Sequence, residues 1–387
     1  MSMSAMPPVR IGFEAKRLFQ SKTGFGAYAR NLLSSLSRNF PEHAYFLFSP
    51  FDGAPAEDVQ GLISHESITV DELSGDSNVF RPLKNIWEHQ KRKLTLYHGL
   101  SQWIPRSVRW LKCPKLVTIH DLAYKHYPAD FDAEQLKERD KQIMKVCNIA
   151  DCIVAVSQST KRDLIEHFEI PASKIHVVYQ SCHNRFRRRW TALEIESVKK
   201  QYGLPSHYFL HVGSMSARKN LLVIVEALAK LTESERYPLV IIGRKTEYTN
   251  VVEEYAKKVG IHHLLVFPTN VSNADLPGVY QGARLFLYLS LYEGFGIPVL
   301  EGLCSRIPVV TSNISSLPEA GGAAARIIDP TKSDLVSDAM REISNSNELK
   351  QKMIEKGIEH SSQFTSDLFA NKTMELYQHT LAQSRSR

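Results

Sequence analysis

The chain has 387 residues, of which 43% are apolar and 23% charged, with a formal net charge of +7. At roughly 150 residues per domain the length suggests two or three domains, and the apolar share excludes a disordered chain. The 19 Gly and 18 Pro are scattered without period, which excludes collagen-like and low-complexity classes. The excess of base suits an anionic ligand or a membrane surface and selects neither. No apolar run reaches the length of about 18 residues that a spanning helix needs. Met1 to Arg10 lacks the apolar centre of a secretory signal. The cysteines Cys113, Cys147, Cys152, Cys182 and Cys304 are odd in number and contain no Cys-x-x-Cys, which argues for buried thiols in a reducing cytosol and against a disulfide framework or zinc site.

Short apolar runs alternate with longer amphipathic segments along the whole chain. In the first half Val9–Phe13, Ala44–Phe48, Ser67–Val70, Thr95–Tyr97, Lys115–Ile119, Cys152–Val156 and Lys174–Val178 read as strands. In the second half Tyr208–Val212, Leu239–Ile242, Leu264–Phe267, Leu285–Leu289, Pro308–Thr311 and Ala325–Ile328 do the same. Most are short and rich in Val, Ile and Leu, the pattern of strands buried on both faces of a parallel sheet. Helical spacing fills the gaps. Asn220–Leu231 puts Leu221, Ile224, Val225 and Leu228 on one face, and Ser333–Ile343, Glu348–Ile358 and Asp367–Leu381 keep the same period. Such alternation predicts α/β domains with helices on both faces of an open sheet. It restarts after the polar, basic stretch Asn184–Gly203, so two similar domains joined near there are expected. Ligands of such sheets bind outside the carboxyl ends of the strands, which makes the segments just after strands the candidates for chemistry.

In chain order, the first such segment is Thr23-Gly24-Phe25-Gly26-Ala27-Tyr28-Ala29. Gly24, Gly26 and Ala29 match the Gly-x-Gly-x-x-Gly/Ala dinucleotide fingerprint. The match lacks its context: a long gap separates the strand from Gly24, and the next strand runs into Ser49 and Pro50, leaving Asp52 as the nearest acid. An ordinary turn fits as well. Val117-Thr118-Ile119-His120-Asp121 is a strand ending in His-Asp, where either a site residue or a structural histidine is expected. Arg185-Phe186-Arg187-Arg188-Arg189-Trp190 mixes basic and aromatic residues, which suits a solvated linker or contact with anionic lipid or nucleic acid.

His211-Val212-Gly213-Ser214-Met215-Ser216-Ala217-Arg218-Lys219-Asn220 runs from a strand into a helix. Two cations at a helix start are mildly unfavourable without an anion, and a diphosphate removes that penalty. Alone, a solvated basic pair is an equal reading. Glu293-Gly294-Phe295-Gly296-Ile297-Pro298-Val299-Leu300-Glu301 follows the run Leu285–Leu289. Its glycines permit a tight turn, Pro298 suits a first helical turn, and the free N–H groups there can hold a phosphate. Glu293 before the turn and Glu301 in the early helix could both bind sugar hydroxyls, or could be solvent-facing acids of a capped helix.

Glu-x7-Glu with the internal Gly-Phe-Gly-x-Pro closely resembles glycosyltransferase family 4 (glycosyl transferases group 1), retaining enzymes of the GT-B fold. Pro308–Asn313 and Leu317-Pro318-Glu319 resemble the family's next strand and loop, and Ala150–Thr160 also looks like the family. Gln180-Ser181-Cys182 departs from the Asn-Gly of many members, and Ser214 stands where some carry Arg. The resemblance implies two Rossmann-like parallel-sheet domains facing a central cleft. Residues 1–195 would be the acceptor-side domain, 196–365 the nucleotide-sugar domain, and 366–387 a helix crossing back to the first. It implies that Glu293 contacts the donor sugar and Glu301 the ribose. Arg218 and Lys219 would hold the leaving diphosphate beside Gly213, Gly294, Phe295, Gly296 and Ile297. Gly24 and Gly26 would face the donor phosphates, and His120 and Asp121 would serve the acceptor side, with His120 also touching the transferred sugar. Asp130-Phe131-Asp132 matches the metal-holding Asp-x-Asp of the other main glycosyltransferase fold, but it starts a polar helical stretch instead of ending a strand.

The expected reaction is therefore retaining transfer of a hexose, mannose as the first guess, from a GDP- or UDP-linked sugar to a glycan or lipid-linked hydroxyl, in polysaccharide or lipopolysaccharide synthesis. No cofactor, metal or nucleic acid is expected. The expected location is cytoplasmic, with the basic segment as a candidate for peripheral contact with an anionic membrane. A sugar-nucleotide epimerase of GT-B architecture and a nicotinamide-dependent oxidoreductase are the alternatives.

Overall fold

The computed structural model describes residues 7–20, 24–49, 57–72, 90–128 and 132–385. Thr23, Asp52, Asp130 and Phe131, which entered the sequence reading, lie outside the described residues. Every strand expected from the apolar runs is present, with ends shifted by a residue or two. β1 (Arg10–Glu14), β2 (Ala44–Ser49), β3 (Ile68–Glu72), β4 (Leu96–Gly99), β5 (Lys115–Ile119), β6 (Cys152–Ala155) and β7 (Ile175–Val177) form a parallel sheet of order β3-β2-β1-β4-β5-β6-β7. β8 (Phe209–Val212), β9 (Leu239–Ile242), β10 (Leu265–Val266), β11 (Leu285–Tyr288), β12 (Val309–Ser312) and β13 (Arg326–Ile328) form a second, of order β10-β9-β8-β11-β12-β13. Each order reverses beside its first strand, between β1 and β4 and between β8 and β11. These are the points where doubly wound sheets bind ligands.

The contacts divide the chain into one unit of Met1–Ser181 with Ser366–Arg387 and another of Cys182–Thr365. In the first, Val117, Ile119, Ile153 and Ala155 of the central strands bury against Ile143, Val146 and Cys147 of the Ala133–Ile149 helix. Asp132 caps that helix by accepting from Gln135 N at 2.8 Å. The Ser366–Arg385 helix packs on the first unit: Phe369 meets Tyr28 at 5.5 Å, and the Tyr377 hydroxyl bonds His98 Nδ1 at 2.7 Å. In the second unit Leu221, Ile224, Val225 and Leu228 of the Leu221–Lys230 helix are all buried, with Val223 and Ala227, against Leu285, Leu287 and Val310.

The division falls after Ser181 and not at 195. Residues 182–195 sit on the second unit because their polar groups are satisfied there. The Arg187 guanidinium donates to Ser361 O at 2.6 Å and Phe364 O at 3.1 Å. Gln281 bonds Trp190 N and Arg188 O, and Arg188 lies over the Trp190 ring. The basic segment is thus fastened structure and not a free linker. All five cysteines are buried free thiols. Among the described residues, no helix is long and apolar enough to cross a membrane.

Candidate active site

In the second unit the two motif segments meet beside the β8/β11 reversal. After β8 the chain passes Gly213, whose N–H donates to Ile242 O at 2.8 Å. The Ala217–Lys219 turn then carries Arg218 and Lys219 just ahead of the Leu221–Lys230 helix. Asn220 between them adopts left-handed backbone, φ 56°, and its amide donates to Leu289 O and Pro330 O. After β11 the chain runs through Glu293, half-buried Gly294 and buried Phe295 to Gly296, and Ile297 begins the Ile297–Cys304 helix. Gly296 has φ 112°, and a Cβ there would stand 2.8 Å from Leu317 Cδ2, so this turn requires glycine.

Glu293 is the hub. Its Oε1 accepts from Lys219 Nζ, from Arg218 Nη1 at 3.2 Å and from the Tyr288 hydroxyl at 3.0 Å. Lys219 Nζ also donates to the Tyr288 hydroxyl at 2.6 Å. The Glu293 backbone is held on both sides: its N–H donates to Ser315 Oγ at 2.9 Å, and its carbonyl accepts from Ser316 Oγ at 2.8 Å. The Glu293 and Lys219 side chains are only 13% and 11% exposed. Burial pushes the Glu293 carboxyl up, but the Lys219 and Arg218 charges and hydrogen bonds outweigh it and hold the carboxyl below its ordinary value. Burial raises the Glu301 carboxyl to about 7, opposed by the hydrogen bond from Tyr280 at 3.0 Å and by the charge of Arg185. His211 lies under the cluster, stacked on Tyr288 at 5.9 Å, with Nδ1 donating to Leu287 O. Burial lowers it to about 4, so the ring is neutral.

Such a cluster holds two cations in fixed positions around one carboxylate. An anion that drew those cations away from the carboxylate would be stabilised by both charges.

In the first unit the Gly24 and His120 segments also meet. A short helix, Lys16–Gln20, lies between β1 and exposed Gly24, where the Gly24–Asn39 helix begins. The strand therefore does not turn tightly into Gly24, as a dinucleotide fingerprint requires. Buried Gly26 lies in that helix's first turn. Phe25 and Tyr28 set their rings edge-on to the His120 imidazole at 4.7 and 4.6 Å. His120 Nε2 donates to Leu100 O at 2.9 Å. Burial lowers its basicity, partly opposed by that bond and by Asp121. Asp121 is half-buried and accepts from Ala123 N at 3.1 Å. A buried chain continues behind this site, from the Tyr28 hydroxyl to Thr118 Oγ1, His98 Nε2 and Tyr377.

Sequence reasoning missed Tyr288 and Gly243, and named His211 only as the start of its motif. Tyr288 sits on a strand and reads as a core residue. Gly243 follows β9 with φ 153°, and a Cβ there would fall 1.9 Å from Gly213 O. The strand-then-glycine pattern was a visible signal for it.

Two Rossmann-like units, the second with two cations and a carboxylate clustered at a strand reversal, define the doubly wound α/β class. The comparisons narrow it. Residues 194–360 match the family model described as Glycosyl transferases group 1, and residues 23–181 match that of Glycosyltransferase Family 4. O-antigen chain mannosyltransferase B of Escherichia coli is 27% identical over 302 residues, covering 77% of this chain and 78% of that protein. The serotype-specific mannosyltransferase WbdA of Escherichia coli is 30% identical over 186 residues, 47% of this chain, and the match spans only 23% of WbdA. The crystal structure of Anabaena Alr3699/HepE with UDP and glucose superposes with TM-score 0.75 at 15% identity, over 96% of this chain and 100% of that one, which is likeness of fold. The chain belongs to the group 1 glycosyltransferases of family 4, with the two Rossmann-like domains of the GT-B class. It is a glycosyltransferase.

Proposed function

We propose that the protein transfers mannose, with retention, from a nucleotide sugar to a hydroxyl of a polysaccharide or lipid-linked glycan of the O-antigen type. The observation that carries the reading is the Glu293–Lys219–Arg218–Tyr288 cluster at the strand reversal of the second unit. Mannose is supported by the name of the Escherichia coli mannosyltransferase that matches most of the chain. A nucleotide donor is supported by the UDP bound to the structurally similar Anabaena protein.

In this reading the donor diphosphate lies against Arg218, Lys219 and the backbone around Gly213 and Gly294 to Ile297. As the glycosidic bond breaks, negative charge grows on the diphosphate, and the two cations stabilise it. No metal is required for that step. Glu293, fixed by Tyr288, Ser315 and Ser316, orients the sugar, and Glu301 binds the ribose hydroxyls. His120 and Asp121 act on the acceptor side. No protein nucleophile is assigned.

A thermal-shift panel of GDP- and UDP-sugars, followed by transfer to a mannose-ended oligosaccharide, tests the reading. GDP-mannose should raise the melting temperature by mass action and support transfer. The product's anomeric configuration, read by NMR, should equal the donor's. Inverted product removes the retaining assignment, and transfer from UDP-glucose in place of GDP-mannose removes the sugar assignment.

A further inference from the structure

Away from the motif residues, three metal-ligating side chains meet on the first unit. His126 ends the short Ala123–His126 helix, which follows β5 and the His120–Asp121 pair. Asp163 and His167 lie on the Gln158–Phe168 helix, which follows β6. Four residues apart, they share one helix face. His126 Nε2 is 3.1 Å from Asp163 Oδ1, and the His126 and His167 rings meet edge to face at 5.4 Å. One ligating atom from each of the three lies within 4.8 Å of the others.

The geometry points to a binding site for one divalent transition-metal ion, of the zinc or cobalt type, held by His126, Asp163 and His167. Tetrahedral ligands at bond lengths of about 2.0–2.2 Å stand roughly 3.3–3.6 Å apart. The His126–Asp163 spacing already approaches that value, and a small rotation of the exposed His167 closes the rest. Two imidazoles and one carboxylate select borderline ions over calcium or magnesium, which take mostly oxygen ligands. The Asp163 side chain is 8% exposed and held in place, whereas His126 is 36% exposed and open to an entering ion. Three protein ligands leave a position for water. The ion would tie the segment after His120–Asp121 to the Gln158–Phe168 helix, whose Thr160 already donates to His120 O at 3.3 Å. The site would be a staple behind that pair and takes no part in the transfer step.

The test uses the full chain, freed of metal with chelator. It is titrated with Co²⁺ by visible absorption, then with Zn²⁺ by competition, and its thermal unfolding is recorded with and without Zn²⁺. One saturable equivalent is expected, displaced by Zn²⁺, with a Zn²⁺-dependent rise in melting temperature. His126→Ala and His167→Ala should each weaken binding by at least about tenfold and remove that rise. Should His126→Ala lower stability in chelator, His167→Ala decides, because it leaves the His126–Asp163 bond intact. No saturable equivalent, or unchanged affinity in both variants, overturns the site and leaves an ordinary His–Asp contact on a solvated face.

Discussion

Replacing Glu293 by Gln keeps the shape of the hub and removes its charge. The side chain can still bond Tyr288, and the backbone keeps Ser315 and Ser316. What is lost is the charged partner of Lys219 and Arg218, in a place where Glu293 and Lys219 are only 13% and 11% exposed. A hydrogen bond to a charged group contributes about 1.5–3 kcal/mol, which is about ten- to a hundredfold or somewhat more in rate. Glu293→Gln should therefore lower turnover by that factor in a folded protein. Diphosphate binding should behave differently. In the unliganded site Glu293 competes for the same two cations, so the variant should bind GDP as tightly as wild type or more tightly.

Stability carries a matching signature. The folded Glu293 carboxyl titrates below its ordinary value, so the pair's stabilisation is present above that value and is lost as pH falls through the folded pKa. The variant should lack this acid-side slope. Steady-state kinetics, GDP calorimetry and thermal melts from pH 3 to pH 7 measure all three (a range of about four units around the ordinary carboxylate value). Near-normal turnover would refute the role of Glu293. A loss of GDP affinity in step with turnover would refute the competition between carboxylate and diphosphate.

Other predictions follow from the same geometry. Glu301 is raised to about 7 by burial, so it is largely protonated at pH 6 and ionised at pH 8. Donor KM should fall as pH rises through that range, and Glu301→Gln should flatten the profile; an unchanged profile in the variant removes Glu301 from donor binding. Tyr288→Phe deletes the hydroxyl that joins Lys219 to Glu293 and should lower turnover by about tenfold or more with circular dichroism unchanged. Gly243→Ala would set a Cβ 1.9 Å from Gly213 O, a backbone clash that no rotamer relieves. It should cost at least about 1–3 kcal/mol, read as a lower urea midpoint; a wild-type midpoint would show that the two loops can move apart.

Much of the fold was legible because buried parallel strands announce themselves. Short Val-, Ile- and Leu-rich runs such as Leu239–Ile242 and Leu285–Tyr288 fall where periodicity put them. The motif segments were legible through their resemblance to the family, since on physics alone a solvated basic pair or a capped helix with solvent-facing acids accounts for the same residues. Tyr288 was not legible, because a tyrosine on a strand reads as core until its hydroxyl is seen between Lys219 and Glu293. Nor was the fate of 182–195. A basic, aromatic stretch reads as a linker, and its partners, among them Ser361 O, Phe364 O, Asn273 O and Gln281, are seen only in the fold.

Composition and residue order by themselves determined the α/β class, the strands and the places of the motif segments just after them. Those properties are local: each depends on a few neighbours in the chain and on the period of their side chains. Tertiary structure decided which carboxylate meets which cation, because Glu293 and Lys219 are brought together by strand order and not by spacing. It likewise separated two acids of one motif, holding Glu293 ionised beside Lys219 and Arg218 while burial raises Glu301. The reason is physical: a carboxyl's proton affinity follows burial and neighbouring charge, and both are fixed only when distant segments pack.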